Sequence, residues 1–390
     1  MRKYDFNFYF KIYLTVLYLF AVFFFFQKYN NNVEWTISEW LINYQGGFTR
    51  RGLIGELVFQ FSKIISVSVR EVILIFQIIT YLIYFSLLFY FFKNVKKNLI
   101  LIFSIFSPLF IIYPIAEVEV LGRKEIFIFI SFLIIINIFS SKKLNNKQYL
   151  YFSIILSLIC LIWEGVVIYL PYFLFLLLIK NKFVLNKKNL FQIILSFVPI
   201  LITFYFIFSY RLSSSEIKIM CDSIGECYGA ITYLNRDISS NIGEVASKFK
   251  ISYLIRYIII FIVGFFPLIL LIVNSKFNFK YKYQNSYLVL ISFILTFLPT
   301  LSFFYIAQDW GRWMNISYTL SLLLFVFCLK NKCITLNIKK IDFNILKNKF
   351  FTIFVFIVFC FGWSPKTLIN EDVSSIPIYR KSLNIIKSFD

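Results

Sequence analysis

Histidine is absent from this chain of 390 residues, and only six cysteines are present. Without an imidazole, ordinary zinc and haem sites and histidine-based proton relays are excluded. Membrane acyltransferases and Ser-His hydrolases are disfavoured for the same reason, because both use an imidazole base. No Cys-x-x-Cys pair occurs either. The sequence therefore predicts neither a metal nor a cofactor, and it leaves chemistry to carboxylates, arginine, tyrosine and backbone groups.

Charge is also missing from long stretches of the chain, which is 60% apolar and 22% aromatic. The pattern predicts an all-α fold, a polytopic transmembrane helical bundle of about eleven spans that forms a single integral membrane domain over 1–390. The expected spans are roughly 8–27, 71–92, 99–115, 125–140, 149–162, 165–179, 190–210, 253–274, 287–306, 313–329 and 350–363. Two of them, 149–162 and 165–179, are short for a hydrocarbon core of about 30 Å. They are either thin spans that meet at Glu164 or a re-entrant pair.

Lysine sets the predicted orientation. Six short segments hold Arg2 and 21 lysines against only two acids: 1–11, 93–98, 141–148, 180–188, 275–286 and 330–349. By the positive-inside rule these segments and the N-terminus are cytoplasmic, so the loops 28–70 and 211–252 and the C-terminal tail 364–390 lie outside. The first span ends in polar residues and is expected to be a retained anchor. Because this lysine excess explains most of the net charge of +21, no nucleic-acid partner is predicted.

Arginine is distributed differently from lysine. Nine of the ten arginines fall on the predicted outer side, together with seventeen of the nineteen carboxylates. The positive-inside rule gives no reason for cations on that side. These outer charges are therefore the candidates for chemistry.

The first outer loop is the densest of the charged segments. Glu34 and Glu39 lie beside Trp35 and Trp40. These two carboxylates are candidates for chemistry, whereas two tryptophans at this spacing also fit a short amphipathic helix at headgroup depth.

Glycines and paired arginines follow in the same loop. Gly46 and Gly47 let backbone approach a ligand closely, and the guanidiniums of Arg50 and Arg51 suit bidentate binding of phosphate. A helix that begins at Gly52 would add its amide groups. The pattern predicts an anion site. The alternative is that the two arginines pair with acids of the same loop, namely Glu34, Glu39 or Glu56.

Three further charged side chains lie at the predicted outer ends of spans. Arg123 and Lys124 belong to a short acidic loop, residues 117–125, and Glu164 lies between two apolar runs. Charged groups at this depth are costly unless they are paired or hydrated, which makes them functional candidates. For Glu164 the alternative is a helix-turn carboxylate in interfacial water.

The last cluster lies between the ninth and tenth predicted spans. Asp309 and Arg312 are three residues apart, which suits either a site or a structural ion pair. Trp310 and Trp313 offer a platform for a sugar ring, or they belong to the aromatic belt of the membrane interface.

Two of the cysteines lie in the second large outer loop. Cys221 and Cys227 enclose a segment of five residues. In an oxidising compartment they would form a disulfide that closes a small hairpin. Two unpaired thiols are the alternative.

Together these clusters predict one outward-facing cavity that combines carboxylates, arginines, glycines and aromatic rings. Such a set suits a lipid-linked sugar. Apolar helices would hold the polyprenyl tail, guanidiniums the pyrophosphate and tryptophan the sugar ring, while a carboxylate would activate the acceptor hydroxyl.

On these features the chain resembles the O-antigen and capsule repeat-unit polymerases of bacterial surface-polysaccharide clusters and, more broadly, the polytopic glycosyltransferases of the GT-C type. The GT-C family keeps a catalytic carboxylate in its acidic first outer loop, where this chain has Glu34 and Glu39. The outer-loop arginines of the polymerases would correspond to Arg211 and Arg236.

The resemblance implies a reaction at the periplasmic face of the bacterial cytoplasmic membrane, in which an undecaprenyl-pyrophosphate-linked glycan is joined to another glycan or to a lipid acceptor. The partners would be this polyprenyl-pyrophosphate-linked donor, membrane lipids and other polysaccharide-assembly proteins. Glu39 or Asp309 would be the general base, with Glu34 and Glu164 in reserve. The pyrophosphate would bind the outer cations Arg50, Arg51, Arg123, Lys124 and Arg312.

Two other classes of function compete with this one. A transporter or lipid-glycan flippase would need polar residues along the membrane depth and on both faces, whereas the predicted spans are nearly free of charge. Internal sequence repeats, which many transporters have, are absent. A non-catalytic scaffold of polysaccharide assembly would tolerate the loss of any single outer charge.

Overall fold

The computed structural model describes residues 6–31, 34–93, 95–96, 98–139, 144–184, 186–278, 286–336 and 348–368. Its α-helices in chain order are α1 (Phe6–Tyr29), α2 (Trp35–Leu41), α3 (Gly52–Ile65), α4 (Val69–Phe92), α5 (Leu99–Ile105), α6 (Tyr113–Ala116), α7 (Ile126–Ile138), α8 (Asn146–Ile162), α9 (Leu170–Lys180), α10 (Lys187–Ser209), α11 (Ser214–Ile224), α12 (Ile238–Lys248), α13 (Ile251–Val273), α14 (Ser286–Phe297), α15 (Ser302–Ile306), α16 (Trp310–Lys330) and α17 (Lys349–Phe361). Short 3-10 helices cover Glu164–Tyr169, Gly229–Tyr233 and Leu298–Leu301.

The helical architecture agrees with the all-α prediction, apart from one small ribbon. Strands β1 (Ser275–Phe277) and β2 (Ile334–Leu336) pair antiparallel, with Lys276 opposite Thr335. Both strands lie in lysine-rich segments that the sequence predicted as loops. Three residues in each strand are too few for a recognisable period-2 pattern.

Within the ranges that the structure describes, six helical segments are long and apolar enough to cross a membrane, as in a multi-pass membrane protein: Phe6–Tyr29, Val69–Phe92, Lys187–Ser209, Ile251–Val273, Val289–Ile306 and Trp310–Lys330. Each overlaps a predicted span. The apolar helices α7, α8 and α17 are shorter, with 13, 17 and 13 residues. Between α8 and α9 the chain passes through a 3-10 helix that begins at Glu164, so the two apolar segments meet at this carboxylate. Whether they are two thin spans or a re-entrant pair stays a prediction.

The predicted span 99–115 is not one helix. Helix α5 ends at Ile105, turns follow, and α6 begins only at Tyr113. Two prolines explain the interruption, because Pro108 and Pro114 each lack a backbone N–H and disfavour a helical residue before them.

Polar side chains of α16 support the interrupted segment. Asn315 donates to the carbonyl of Leu109 at 2.8 Å, and the Tyr318 hydroxyl donates to the carbonyl of Ser104 at 2.8 Å. Non-helical backbone is tolerated at membrane depth only where it is buried in protein and its carbonyls are satisfied. Both conditions hold here, since Leu109 is fully buried.

Local signals explain where several long helices begin. Ser68 and Glu71 form a capping box at the start of α4, and Asn145 and Gln148 form another at α8. The side chain of Asn186 accepts from the backbone at the start of α10. Each cap satisfies amides that the first helical turn leaves without partners.

The chain divides into two compact units. The first contains residues 1–94 and 121–237, and the second contains residues 95–120 and 238–390. In the first unit, aromatic contacts join α1 to α4: Phe10 packs on Phe92 at a ring distance of 5.8 Å, and Phe25 packs on Tyr81 at 5.1 Å. In the second unit, α16 is buried along almost its whole length.

The segment after α17 packs against the start of α16. The Gly311 amide donates to the carbonyl of Thr367, and the Tyr257 hydroxyl donates to the carbonyl of Lys366. Ser364 and Thr367 are buried. The beginning of the predicted outer tail 364–390 is thus part of the second unit, and its remainder from residue 369 lies outside the described residues.

Candidate functional site

Arg51 is the centre of a charged cluster in the first unit. Its Nε lies 2.9 Å and its Nη2 2.8 Å from the two carboxylate oxygens of Glu164, which gives a bidentate ion pair. Its Nη1 lies 3.1 Å from Glu39 Oε1. One guanidinium therefore joins two carboxylates that are 12 and 113 residues away in the sequence.

The backbone at Arg51 is as unusual as its side chain. The residue has φ 64° and ψ 10°, in the left-handed region that residues with a Cβ rarely adopt, and α3 begins at the next residue. Lys124 Nζ donates to the Arg51 carbonyl at 2.5 Å. A buried lysine thus holds a strained residue in place, as is common at functional sites.

Glu39 is held on the short helix α2, and its side chain has no exposed surface. Trp40 Nε1 donates to the carbonyl of Gly122 at 2.6 Å, and Ser38 Oγ accepts from the Ala230 amide at 2.9 Å. These bonds tie α2 to two later segments of the same unit. Arg123 Nη1 lies 3.8 Å from Glu39 Oε2, so a second guanidinium faces this carboxylate.

Glu164 lies at the start of the 3-10 helix between α8 and α9. Burial alone would raise the pKa of its carboxyl, but the charges of Arg51 and Arg50 and the hydrogen bonds from Arg51 lower that pKa to about 2. The carboxylate is therefore ionised at neutral pH. Its side chain is 18% exposed, so of the two acids that pair with Arg51 it is the more accessible.

Arg50 is held less tightly than Arg51. Its Nη2 donates to the carbonyl of Tyr233 at 2.8 Å, while its Nη1 lies 3.9 Å from Glu164, beyond hydrogen-bond distance. Burial lowers the pKa of this guanidinium, as do the nearby charges of Arg51 and Arg211. With its side chain 28% exposed, Arg50 can present donors to a ligand.

We call these six side chains the arginine–carboxylate cluster: Glu39, Arg50, Arg51, Arg123, Lys124 and Glu164. It contains four basic groups and two acids. Removing ions from water is costly unless opposite charges balance, and this cluster has more cations than anions. The arrangement is therefore suited to an additional anion.

Lys124 is the one cluster cation whose charge can change near neutral pH. Its side chain is fully buried. Burial lowers the pKa of its ammonium to about 7, although the carboxylate of Glu39 raises that pKa. Both charge states of Lys124 are therefore populated around neutrality.

We expect the stability of the protein to rise with pH above 7 because of Lys124. Between pH about 7 and about 10.4 the unfolded chain holds a proton on this lysine that the folded chain has lost, so the free energy of unfolding rises by up to about 1.4 kcal/mol per pH unit. Below this window both states are protonated and the contribution is constant. Lys124→Met should remove this contribution and so make the free energy of unfolding rise less with pH in this window than it does in the wild type; equal slopes in both proteins would contradict the low pKa.

Aromatic rings adjoin the cluster. Trp35 is 37% exposed, its ring lies 5.8 Å from the Arg123 guanidinium, and Tyr233 meets it edge-on at 5.0 Å. The guanidinium of Arg236 lies over the Tyr233 ring, 3.7 Å from its centroid. A partly exposed tryptophan ring therefore lies beside the guanidinium of Arg123.

The structure accounts for three other first-loop residues by contacts within the chain. Glu34 pairs with the buried Lys28 at 3.2 Å. A Cβ on Gly46 would lie 2.1 Å from the carbonyl oxygen of Glu216, and Gly47 has φ 127°. The close approach at Gly46 is therefore to the backbone of α11, whereas Gly47 lies beside the side chains of Leu212 and Glu216.

Asp309 and Arg312 belong to the second unit. They form an i, i+3 ion pair of 2.8 Å, and Arg312 is 4% exposed. Trp313 stacks on Phe303 at 4.4 Å, and Trp310 is also buried among aromatic rings. These tryptophans pack in the protein interior. A single cavity shared with the arginine–carboxylate cluster stays a prediction.

Cys221 and Cys227 are joined by a disulfide with a Cα–Cα distance of 5.0 Å. The bridge closes the end of α11, whose last turn continues into Gly225 in the left-handed conformation. Near it, Arg70 pairs with Glu226 at 3.2 Å. This ion pair connects the segment after α11 to the start of α4 within the first unit.

Three residues of this region were not predicted from the sequence: Lys28, Tyr233 and Gly122. Lys28 lies at the end of a membrane-length helix, where a lysine is expected to reach the interface. It is instead buried and donates to the carbonyl of Leu121 at 2.9 Å. The carbonyl of Tyr233 accepts from Arg50, and the carbonyl of Gly122 accepts from Trp40. A pattern of side chains cannot predict such backbone contacts.

Known proteins give no independent guide to this site. Within the described ranges, no three cysteine, aspartate or glutamate side chains gather in a way that could hold a metal ion. The chain matches no family model, no curated protein and no solved structure.

Proposed function

We propose that the protein is a membrane glycosyltransferase that uses a polyprenyl-pyrophosphate-linked sugar as donor, as in the polymerisation of a bacterial surface polysaccharide. The observation that carries the proposal is the surplus of cations over carboxylates in the arginine–carboxylate cluster. An anionic donor would balance that surplus. The membrane-length helices support a donor whose tail is dissolved in lipid.

Arg50 is the first candidate to hold the pyrophosphate. It is part-exposed, it uses one donor on Tyr233, and it lies 3.9 Å from Glu164. A guanidinium has five N–H donors in a planar fork that fits phosphate oxygens. Arg123 supports it from the other side of Glu39, and α3 contributes its N-terminal amides. Arg51 is already bound to two acids, and its main role is to hold Glu39 and Glu164 in position.

Glu164 is the carboxylate that best fits a general base. In the reaction the acceptor hydroxyl oxygen forms a bond to the anomeric carbon, the bond from that carbon to the pyrophosphate oxygen breaks, and the hydroxyl proton passes to Glu164. Arg50 and Arg123 stabilise the charge on the departing pyrophosphate. The negative charge of the bound pyrophosphate raises the pKa of Glu164 from its low value and so increases its basicity. Glu39, fully buried, is assigned to positioning Arg51.

The proposal includes the finer topology. The N-terminus is cytoplasmic, the short and interrupted helices complete about eleven crossings, and the loops 28–70 and 211–252 lie outside. The arginine–carboxylate cluster then faces the periplasm of a bacterial cytoplasmic membrane. Other polysaccharide-assembly proteins are proposed partners, and neither a cofactor nor a metal is part of the mechanism.

The test is the surface glycan made in the native host by variants of the full-length protein. Arg50→Gln and Glu164→Gln should collapse a ladder of polymer lengths toward a single repeat unit at normal protein abundance. Lys218→Gln removes one exposed positive charge from the same unit and should leave the ladder intact.

Two outcomes would redirect the proposal. A full ladder in both cluster variants would refute the enzyme and favour the scaffold. Accumulation of unpolymerised donor on the cytoplasmic side would select the flippase instead, because a carrier that fails leaves its cargo where it was made.

A further inference from the structure

A groove separate from the arginine–carboxylate cluster runs between α8 and α10 in the first unit. Its volume is about 500 Å³, and its walls are mainly apolar, including Leu150, Phe191, Leu195 and Pro199. Phe191 is 65% exposed, so the groove opens on the outer surface of these helices. Space exists there because small side chains face it from both helices, Ser153 and Ser196.

One end of the groove is cationic. Lys188 and Asn146 line that end, and they are the second and first residues of α10 and α8. Both helices therefore direct their N-terminal partial positive charge toward the same mouth. Gln192 donates to the side chain of Asn146 at 2.8 Å, which adds amide groups at the same level.

The groove has the length of one membrane leaflet. From Lys188 to Pro199 the helix rises roughly 16 Å, at 1.5 Å per residue. This is about half of the roughly 30 Å hydrocarbon core. Since α10 is long and apolar enough to cross a membrane, the mouth lies near one membrane surface and the walls lie at acyl-chain depth.

We propose that this groove binds one anionic phospholipid, with an acyl chain along α10 and its phosphate at Lys188. The length of the groove fits a single leaflet, and the positive mouth selects an anionic headgroup over a zwitterionic one. The mouth lies at the opposite end of α8 from Glu164, because α8 begins at Asn146 and ends at Ile162. The bound lipid is therefore distinct from the proposed donor.

The experiment measures lipid retained by the full-length protein. Protein reconstituted in vesicles of equal parts phosphatidylcholine and phosphatidylglycerol is released into detergent, and its retained lipids are counted by native mass spectrometry. Lys188→Gln should lower retained phosphatidylglycerol about fivefold, the effect of one lysine near an anionic surface. Ser196→Phe should fill the groove and remove the retained lipid.

Lys187→Gln is the matched control, because Lys187 is adjacent and exposed but does not line the groove. It should change retention by less than about twofold, because its ammonium group does not line the groove and can act on the headgroup only through solvent, where salt screens the interaction. Three results would overturn the proposal: equal losses of lipid in both lysine variants, equal retention of phosphatidylcholine and phosphatidylglycerol by the wild type, or a wild-type protein that is dimeric and retains no lipid. Lys188 is exposed, so its variant remains informative even if Ser196→Phe fails to fold.

Discussion

Arg51→Ala is expected to lower the free energy of unfolding by about 3 kcal/mol, because Glu164 and Glu39 lose the guanidinium that donates hydrogen bonds to them. Glu39 has no exposed side-chain surface, and the Glu164 side chain is only 18% exposed. Neither acid can recover full hydration in the folded protein. The measurement is the unfolding transition of the detergent-solubilised protein, followed by tryptophan fluorescence.

An exposed arginine provides the matched control. Arg211 pairs with Asp237 at the surface, where both side chains are about half exposed, and Arg211→Ala should cost less than about 1 kcal/mol. Adding Glu164→Gln to Arg51→Ala should recover part of the lost free energy of unfolding, because the second change removes one of the two carboxylates that no longer accept hydrogen bonds from Arg51. Similar transitions for the Arg51 and Arg211 variants would show that the buried network does not stabilise the fold.

Gly55→Ala is expected to cost about 3 kcal/mol or more, because the added methyl group has no space. A Cβ at this position would lie 1.8 Å from the carbonyl oxygen of Ile42 and 2.6 Å from that of Trp40. Backbone cannot rotate away as a flexible side chain can, so α3 must separate from the end of α2. Since α2 holds Glu39 and Arg51 immediately precedes α3, the change should also disturb the arginine–carboxylate cluster.

Gly243→Ala is the control for this glycine. Gly243 lies in the interior of α12, and nothing lies within 4 Å of its added Cβ. There alanine should stabilise the helix by about 0.5–1 kcal/mol. Unfolding midpoints in detergent should therefore move in opposite directions for the two variants. A Gly55→Ala protein as stable as the wild type would refute the close packing of α2 and α3.

The sequence predicts the long helices well because their signal is local. Uncharged runs predicted α1, α4, α10 and α13 to within a few residues. Such a prediction requires only that a run be as long as a membrane span. The same signal was wrong at 99–115, where Pro108 and Pro114 interrupt an apolar run. Composition alone could not show that α16 would satisfy the freed carbonyls.

The candidate site could be predicted only in part. Arg51 was recognisable as an outer cation that the positive-inside rule leaves unexplained, and Glu164 as a carboxylate between two apolar runs. Their direct contact spans 113 residues of sequence, and no spacing rule reports a contact of that range. Gly46 was interpreted as a ligand contact for a related reason. Gly46 approaches the carbonyl of Glu216, and from sequence alone a close approach to protein looks the same as one to a ligand.

The central claim is that the cationic surplus of the arginine–carboxylate cluster binds the pyrophosphate of a lipid-linked sugar. Titration of the detergent-solubilised full-length protein with farnesyl pyrophosphate tests it most directly. Arg50→Gln should weaken binding about tenfold or more, the contribution of a charge-assisted hydrogen bond, while Lys218→Gln should bind like the wild type. Equal affinity of wild type and Arg50→Gln, or no binding by the wild type, would contradict the claim.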